Sequence, residues 1–99
     1  MINIVHEVDG LAVEKVTECG YILRGYSCGK KYPDGFDWIV VALIDRTIAT
    51  LKGFLHIKGG NGSIKHARMV DTFLKSLGCK KLVYERVKDG VVINVTRRL

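Results

Sequence analysis

What the chain lacks narrows it first. Its 99 residues include one proline, no glutamine and three cysteines, and the aromatic side chains are one tryptophan, four tyrosines and three phenylalanines. The longest unbroken apolar run, Trp38 to Ile44, is far shorter than the ~20 residues a membrane-spanning helix needs, so no membrane partner is expected. Cys19, Cys28 and Cys79 are odd in number and have no C-x-x-C spacing, which argues against a disulfide framework and against a cysteine-built zinc site. Each reads as a small buried hydrophobe in a reducing interior. His6, His56 and His66 have no ligand spacing such as H-E-x-x-H, so no metal is expected. Met1 to Glu7 carries no basic leader followed by a small-residue cleavage site, and the expected location is cytoplasmic. A single proline, with no serine or glutamine tract, argues against disorder. The missing glutamine and the scarcity of asparagine (Asn3, Asn61, Asn94) are a composition shared with heat-adapted proteins.

What is present is an ordinary apolar fraction, 47% hydrophobic against 26% charged, in a chain long enough for one modest core. Residues 1–99 are therefore read as a single domain. The net charge of +6 is unevenly placed. Up to Leu51, five basic side chains stand against seven acidic ones; from Lys52 onward, eleven stand against three. The excess is all C-terminal, and it should attract a phosphate-bearing partner, a cofactor or a nucleic acid.

Along the chain, Ile2 to Val8 reads as a strand and Asp9-Gly10 as a turn. Leu11, Ala12, Val16 and Cys19 fall at helical spacing before Gly20, which predicts a short N-terminal helix with a C-terminal glycine. Tyr21 to Tyr26 reads as a second strand, and Ser27 to Asp37, with Tyr32-Pro33-Asp34-Gly35, as a loop. Trp38 to Ile44 is a central strand with both faces buried. The stretch from Asp45 through Ile57 reads as a strand slipping at Gly53 in a β-bulge, or else as a helix from Asp45 to about Leu55. Ser63 to Leu77, closed by Gly78, is the clearest element: Met69, Phe73, His66, Leu77, Val70, Leu74 and Ala67 share one arc, and Lys65, Arg68, Thr72 and Lys75 share another. Lys80 to Val87 and Val91 to Thr96 form a hairpin around Lys88-Asp89-Gly90. The expected class is α+β, a mixed or antiparallel sheet packed against one main helix (63–77) and a short N-terminal helix.

Gly59-Gly60-Asn61-Gly62-Ser63 joins a strand to the start of that helix, between Lys58 and Lys65. Free amides and the positive end of the helix dipole make such a turn a phosphate site. The order strand, glycine turn, amphipathic helix (closing Phe73-Leu74-Lys75-Ser76-Leu77-Gly78) and basic strand (Lys80-Lys81-Leu82-Val83-Tyr84-Glu85) resembles the acyl-CoA-binding core of the GNAT family of N-acetyltransferases. In that family the amides of a Gln/Arg-x-x-Gly-x-Gly/Ala turn hold the CoA pyrophosphate, and the preceding strand aligns the pantetheine and the acceptor amine. The resemblance implies acetyl-CoA as cofactor, with Gly60 and Gly62 at the two glycine positions, Asn61 and Ser63 lending amides, and Lys58 beside them. The leading Gln or Arg falls on Ile57, and only one hairpin follows the helix. Acetyl transfer needs a general base for the ammonium acceptor and an acid for the departing thiolate. His56, on the strand entering the turn, is the candidate base, and Tyr84 or Glu85 the candidate acid.

The same charge supports a second reading as a basic nucleic-acid-binding module. Lys65, Arg68 and Lys75 lie within an arc of about 80° on the helix. Lys80, Lys81, Arg97 and Arg98 would extend the patch across the sheet for sequence-independent phosphate contacts. A third is a small interaction or inhibitor protein using a sheet edge or the Ser27 to Asp37 loop.

Overall fold

Alternating apolar residues punctuated by two-residue turns build most of the molecule. The computed structural model describes residues 3–26, 29–56 and 64–99. Strands β1 (Ile4–Val8), β2 (Leu11–Thr17), β3 (Gly20–Gly25), β4 (Trp38–Asp45) and β5 (Ile48–His56) are followed by the helix α1 (Ile64–Ser76) and by β6 (Lys81–Lys88) and β7 (Val91–Arg98). They form one sheet in the order β1-β2-β3-β4-β5-β6-β7. Every neighbouring pair is antiparallel except β5 and β6, which run parallel across the α1 crossover.

Turn chemistry explains much of this. Asp9-Gly10 and Asp89-Gly90 each take two consecutive positive φ angles (51° and 92°, 52° and 76°), the backbone that joins antiparallel strands through two residues. The pairs Val8↔Leu11 and Lys88↔Val91 close those hairpins.

The helix expected over Leu11 to Cys19 is instead β2, so the α+β class with an N-terminal helix is corrected. The described residues form a seven-stranded sheet with a single 13-residue helix. A hairpin turn at each end overrides the helical spacing. Gly20, expected to close a helix, opens β3 opposite Thr17, and Val16, expected in the core, is 55% exposed. The β-branched Val13, Val16 and Thr17 suit a pleated surface. The rival helix from Asp45 to Leu55 is likewise a strand, β5. Its register moves from Val41↔Lys52 to Ile39↔Leu55, an extra residue accommodated at Gly53, whose φ is 66°.

β4 is the fourth of the seven strands, and its inward residues Trp38, Val40 and Ala42 are buried. Its other face was expected to be covered too, but Ile39 and Val41 are half-buried there and Leu43 is exposed. The core lies on one side of the sheet, where Leu11, Val13, Leu23, Val40 and Leu82 meet Val70, Phe73 and Leu74 of α1. The helix ends as the sequence predicts. Gly78 has a φ of 89°, its N–H donates to Lys75 O (2.9 Å), and the Cys79 N–H donates to Leu74 O (3.1 Å), which satisfies carbonyls that the last turn leaves free.

Cys79 is buried in this core, which pushes its thiol pKa up, whereas Cys19 is exposed. A raised pKa leaves Cys79 protonated where an ordinary thiol ionises, and only the thiolate is reactive. Mass spectrometry after alkylation of the native protein should find Cys19 modified and Cys79 untouched until denaturant is added. Labelling of Cys79 at the rate of Cys19 would contradict its burial.

Candidate functional site

The parallel pair β5 and β6 is joined over only three positions, Ile48↔Lys81, Ala49↔Leu82 and Thr50↔Val83. Beyond Thr50 the two strands part, and α1 lies over the gap. The result is a cleft of about 270 Å³, walled by Leu51 and Phe54 of β5, Tyr84 of β6 and Ala67 and Val70 of α1, with Trp38 and Val40 of β4 beneath.

Trp38 anchors the cleft. It is 3% exposed, and its Nε1–H donates to Nδ1 of His66 (3.2 Å) on the first turn of α1. That hydrogen bond fixes the imidazole with its Nδ1 lone pair toward the indole. Phe54 packs on the other side of Trp38, with ring centroids 6.1 Å apart. His56 pairs with Trp38 across β4 and β5, and its ring lies 6.3 Å from that of Phe54. The Nδ1 atom of His56 is buried and has no hydrogen-bond partner among the described residues. A buried polar atom left unmatched is costly in a folded protein, and such atoms occur where a ligand supplies the partner.

At the other end of the cleft, Arg97 of β7 makes a two-pronged ion pair with Asp71 of α1 (2.7 and 2.8 Å). The hydrogen bonds that the guanidinium donates to Asp71 hold its pKa above the usual value, and the Tyr84 hydroxyl adds to the effect. This clamp ties the helix to the far strand of the sheet and carries the charged side chains that line the cleft among the described residues.

A second, more polar cavity of about 660 Å³ lies beyond His66, lined by Glu7, Asp9, Lys30, Lys31 and Lys65 among others. Opposed charges line it, and Lys65 is already paired with Asp9 at 3.3 Å.

No family model matches the chain, and no curated protein and no solved structure matches it.

Of the residues singled out from sequence, His56 and Tyr84 stand on β5 and β6, the two strands that part to form the cleft, and Tyr84 lines it. Glu85 does not join them: strand alternation turns it to the face opposite Tyr84, where it is exposed and paired with Asn94. Lys58, Gly60, Asn61, Gly62 and Ser63 lie outside the described residues.

The seven cations of the second reading are divided by the sheet. Lys65, Arg68 and Lys75 are on α1. Arg97 pairs with the buried Leu82 and so lies on the helix side, where Asp71 occupies it. Lys81 and Arg98, opposite each other on β6 and β7, project from the other face. Lys80 precedes β6, with its N–H bonded to Thr47 O. No single surface presents all seven.

Sequence reasoning passed over Trp38, His66 and Asp71 as parts of a site. Trp38 and His66 are 28 residues apart, and Asp71 and Arg97 are 26 apart. Neither pair leaves a local spacing signal. Among the described residues no helix is long and apolar enough to cross a membrane, and no group of three His, Cys, Asp or Glu side chains could hold a metal ion.

Proposed function

We propose that the protein binds acetyl-CoA in the cleft between β5 and β6, as a small relative in kind of the GNAT acyltransferases, and transfers the acyl group to an amine. The observation that carries this reading is the parting of the parallel pair after three residue pairs. Past Thr50 the edge of β5 is no longer covered by β6, so its peptide groups are open to pairing with an extended, amide-bearing ligand arm such as pantetheine. The apolar walls suit the thioester end of such a ligand. The first turn of α1 contains no acidic residue, so its positive dipole end is left for an anion, and the glycine-rich sequence Lys58 to Ser63 immediately precedes it in the chain.

In this scheme His56, whose Nδ1 is unmatched, takes a proton from the ammonium of the acceptor. The free amine attacks the thioester carbonyl, the C–N bond forms as the C–S bond breaks, Tyr84 supplies a proton to the departing thiolate, and the proton then shed by the new amide nitrogen restores the Tyr84 hydroxyl. Glu85 has no part, because it faces away from the cleft. Arg97 and Asp71 hold the cleft wall at Tyr84 in place.

Calorimetry with acetyl-CoA tests the binding step. Saturable heat is expected, and Ala67→Phe, which fills the cleft from an exposed helix position, should weaken binding by about tenfold or more, roughly 1.4 kcal/mol. Lys81→Glu, on the opposite face of the sheet, should bind as the parent does. No heat at millimolar acetyl-CoA would sink the proposal. Replacing Gly62 with a bulky residue should also abolish binding, whereas a nucleic-acid binder would tolerate that change and respond to charge reversal at Lys65, Arg68 and Lys75.

A further inference from the structure

The distal half of the β6–β7 hairpin is short of neighbours. Pairing between β5 and β6 ends at Thr50↔Val83, and β7 is the last strand of the sheet. From Tyr84 to Val95 the chain is therefore a two-stranded ribbon with both edges open among the described residues. Its β7 strand begins with an apolar run that is exposed: Val91 and Val92 are each 60% exposed and Ile93 is 39% exposed, with Val87 of β6, 70% exposed, beside them. These side chains occupy both faces of the ribbon, since Val91 and Ile93 share the side of Arg97 and Val92 takes the other. An isolated two-stranded ribbon is marginally stable in water, and an apolar edge strand is a template for another strand.

The two edges of the sheet differ in how they are protected. β1 is five residues long, carries Glu7, and has an irregular register between Ile4 and His6. β7 is eight residues long, contains neither proline nor lysine, and runs in unbroken register from Val91↔Lys88 to Arg98↔Lys81. The Leu99 N–H donates to Lys80 O (2.9 Å), which fixes the phase of the antiparallel ladder. By alternation, Arg97, Val95, Ile93 and Val91 spend their backbone groups on β6, while Val92, Asn94, Thr96 and Arg98 direct theirs outward.

We propose that β7 pairs antiparallel with β7 of a second copy of this chain about a two-fold axis. The charge pattern of the strand selects this occupant and this direction. β7 is apolar at its start and has two adjacent arginines at its end, with no acidic residue. A parallel copy would set the two Arg98 guanidinium groups against each other on one face of the sheet. An antiparallel copy sets Arg98 of each chain beside the Val91 to Ile93 half of the other, where its stem can cover valine, and leaves Arg97 on Asp71. A two-fold pairing also closes on itself, whereas joining β7 to the β1 edge of the next copy would run head to tail without end. The ribbon becomes the middle of a four-stranded sheet spanning both copies.

Light scattering on the full chain, after size exclusion at tens of micromolar, should give twice the chain mass of 11.1 kDa. Asn94→Pro removes an N–H that points outward, so it costs no hydrogen bond within the sheet, and it should shift the dimer toward monomer by about tenfold in dissociation constant or more. Val92→Lys places a charge at the edge while keeping every backbone donor, and should do the same with an unchanged far-UV circular dichroism spectrum. If the proline variant unfolds, the lysine variant decides alone. A monomer at the highest soluble concentration, a dimer indifferent to Val92→Lys, or assemblies that lengthen with concentration would each overturn the proposal. Because no CoA is involved, the result is independent of acetyl-CoA binding.

Discussion

Gly25→Ala is expected to cost more than any other single added methyl in the described chain. Gly25 lies directly across from Trp38 in the β3–β4 ladder, and a Cβ built on it would clash with Nε1, Cε2 and Cζ2 of the indole. The residue is glycine for want of space, since its φ is not among the positive ones. Moving the indole aside breaks what holds it, since it is buried, its Nε1–H is bonded to His66 and Phe54 packs against it, and the open side left to it is the cleft it floors. Overpacking a core usually costs about 1–3 kcal/mol, and the lost indole hydrogen bond adds about 1 more, so roughly 3 kcal/mol is expected. That is a large part of the ~5–15 kcal/mol a small domain has in hand. The midpoint of urea unfolding should fall accordingly, and the emission of Trp38, the single tryptophan, should shift to the red as the ring is displaced. The same change in a Trp38→Leu background should cost much less, because the two positions are in contact and their effects do not add. An additive cycle would mean that Gly25 is required for some other reason.

Leu74→Ala should destabilise the protein by about 2–5 kcal/mol, the range for deleting a buried leucine side chain beyond Cβ. Leu74 is 0% exposed, and it sits where α1 meets the sheet beside Phe73 and Cys79. Because α1 is the single helix among the described residues and the buried cluster lies beneath it, little else there can close over the cavity. Leu77, three residues on and 36% exposed, lies at the frayed end of the same apolar arc. Leu77→Ala should cost well under half as much, and thermal unfolding of the two variants side by side would show the difference. Equal losses would mean that α1 is rotated from the position described here. The Leu74 variant should also weaken the acetyl-CoA binding proposed for the cleft, since Ala67 and Val70 line it from the same helix.

Several elements were legible from sequence because their signals are local. The Asp-Gly turns, the glycine closing α1, the bulge at Gly53 and the apolar run of β4 each depend on residues within a few positions of one another. The N-terminal helix was misread for the opposite reason. Leu11, Ala12, Val16 and Cys19 satisfy a helical period, and only pairing with β1 on one side and β3 on the other makes Leu11 to Thr17 a strand. Of the candidate site, His56 and Tyr84 could be named because they flank a glycine-rich segment and a helix in sequence, and the fold sets them on the two strands that bound the cleft. Glu85 differs from Tyr84 in phase: neighbours on a strand face opposite ways, and which of the two faces the cleft depends on how β6 docks.

By itself the sequence determined the turns, the amphipathic helix, the single domain's worth of apolar residues and the C-terminal excess of positive charge. All follow from short-range sterics and composition. Tertiary structure decided what those parts do together. It set Gly25 beneath Trp38, joined His66 to the indole and Asp71 to Arg97, and divided the basic residues between the two sides of the sheet. It also parted β5 from β6 after three pairs, which opens the cleft and leaves the outer hairpin without a neighbour. Such contacts join residues far apart in the chain, and no local propensity encodes them.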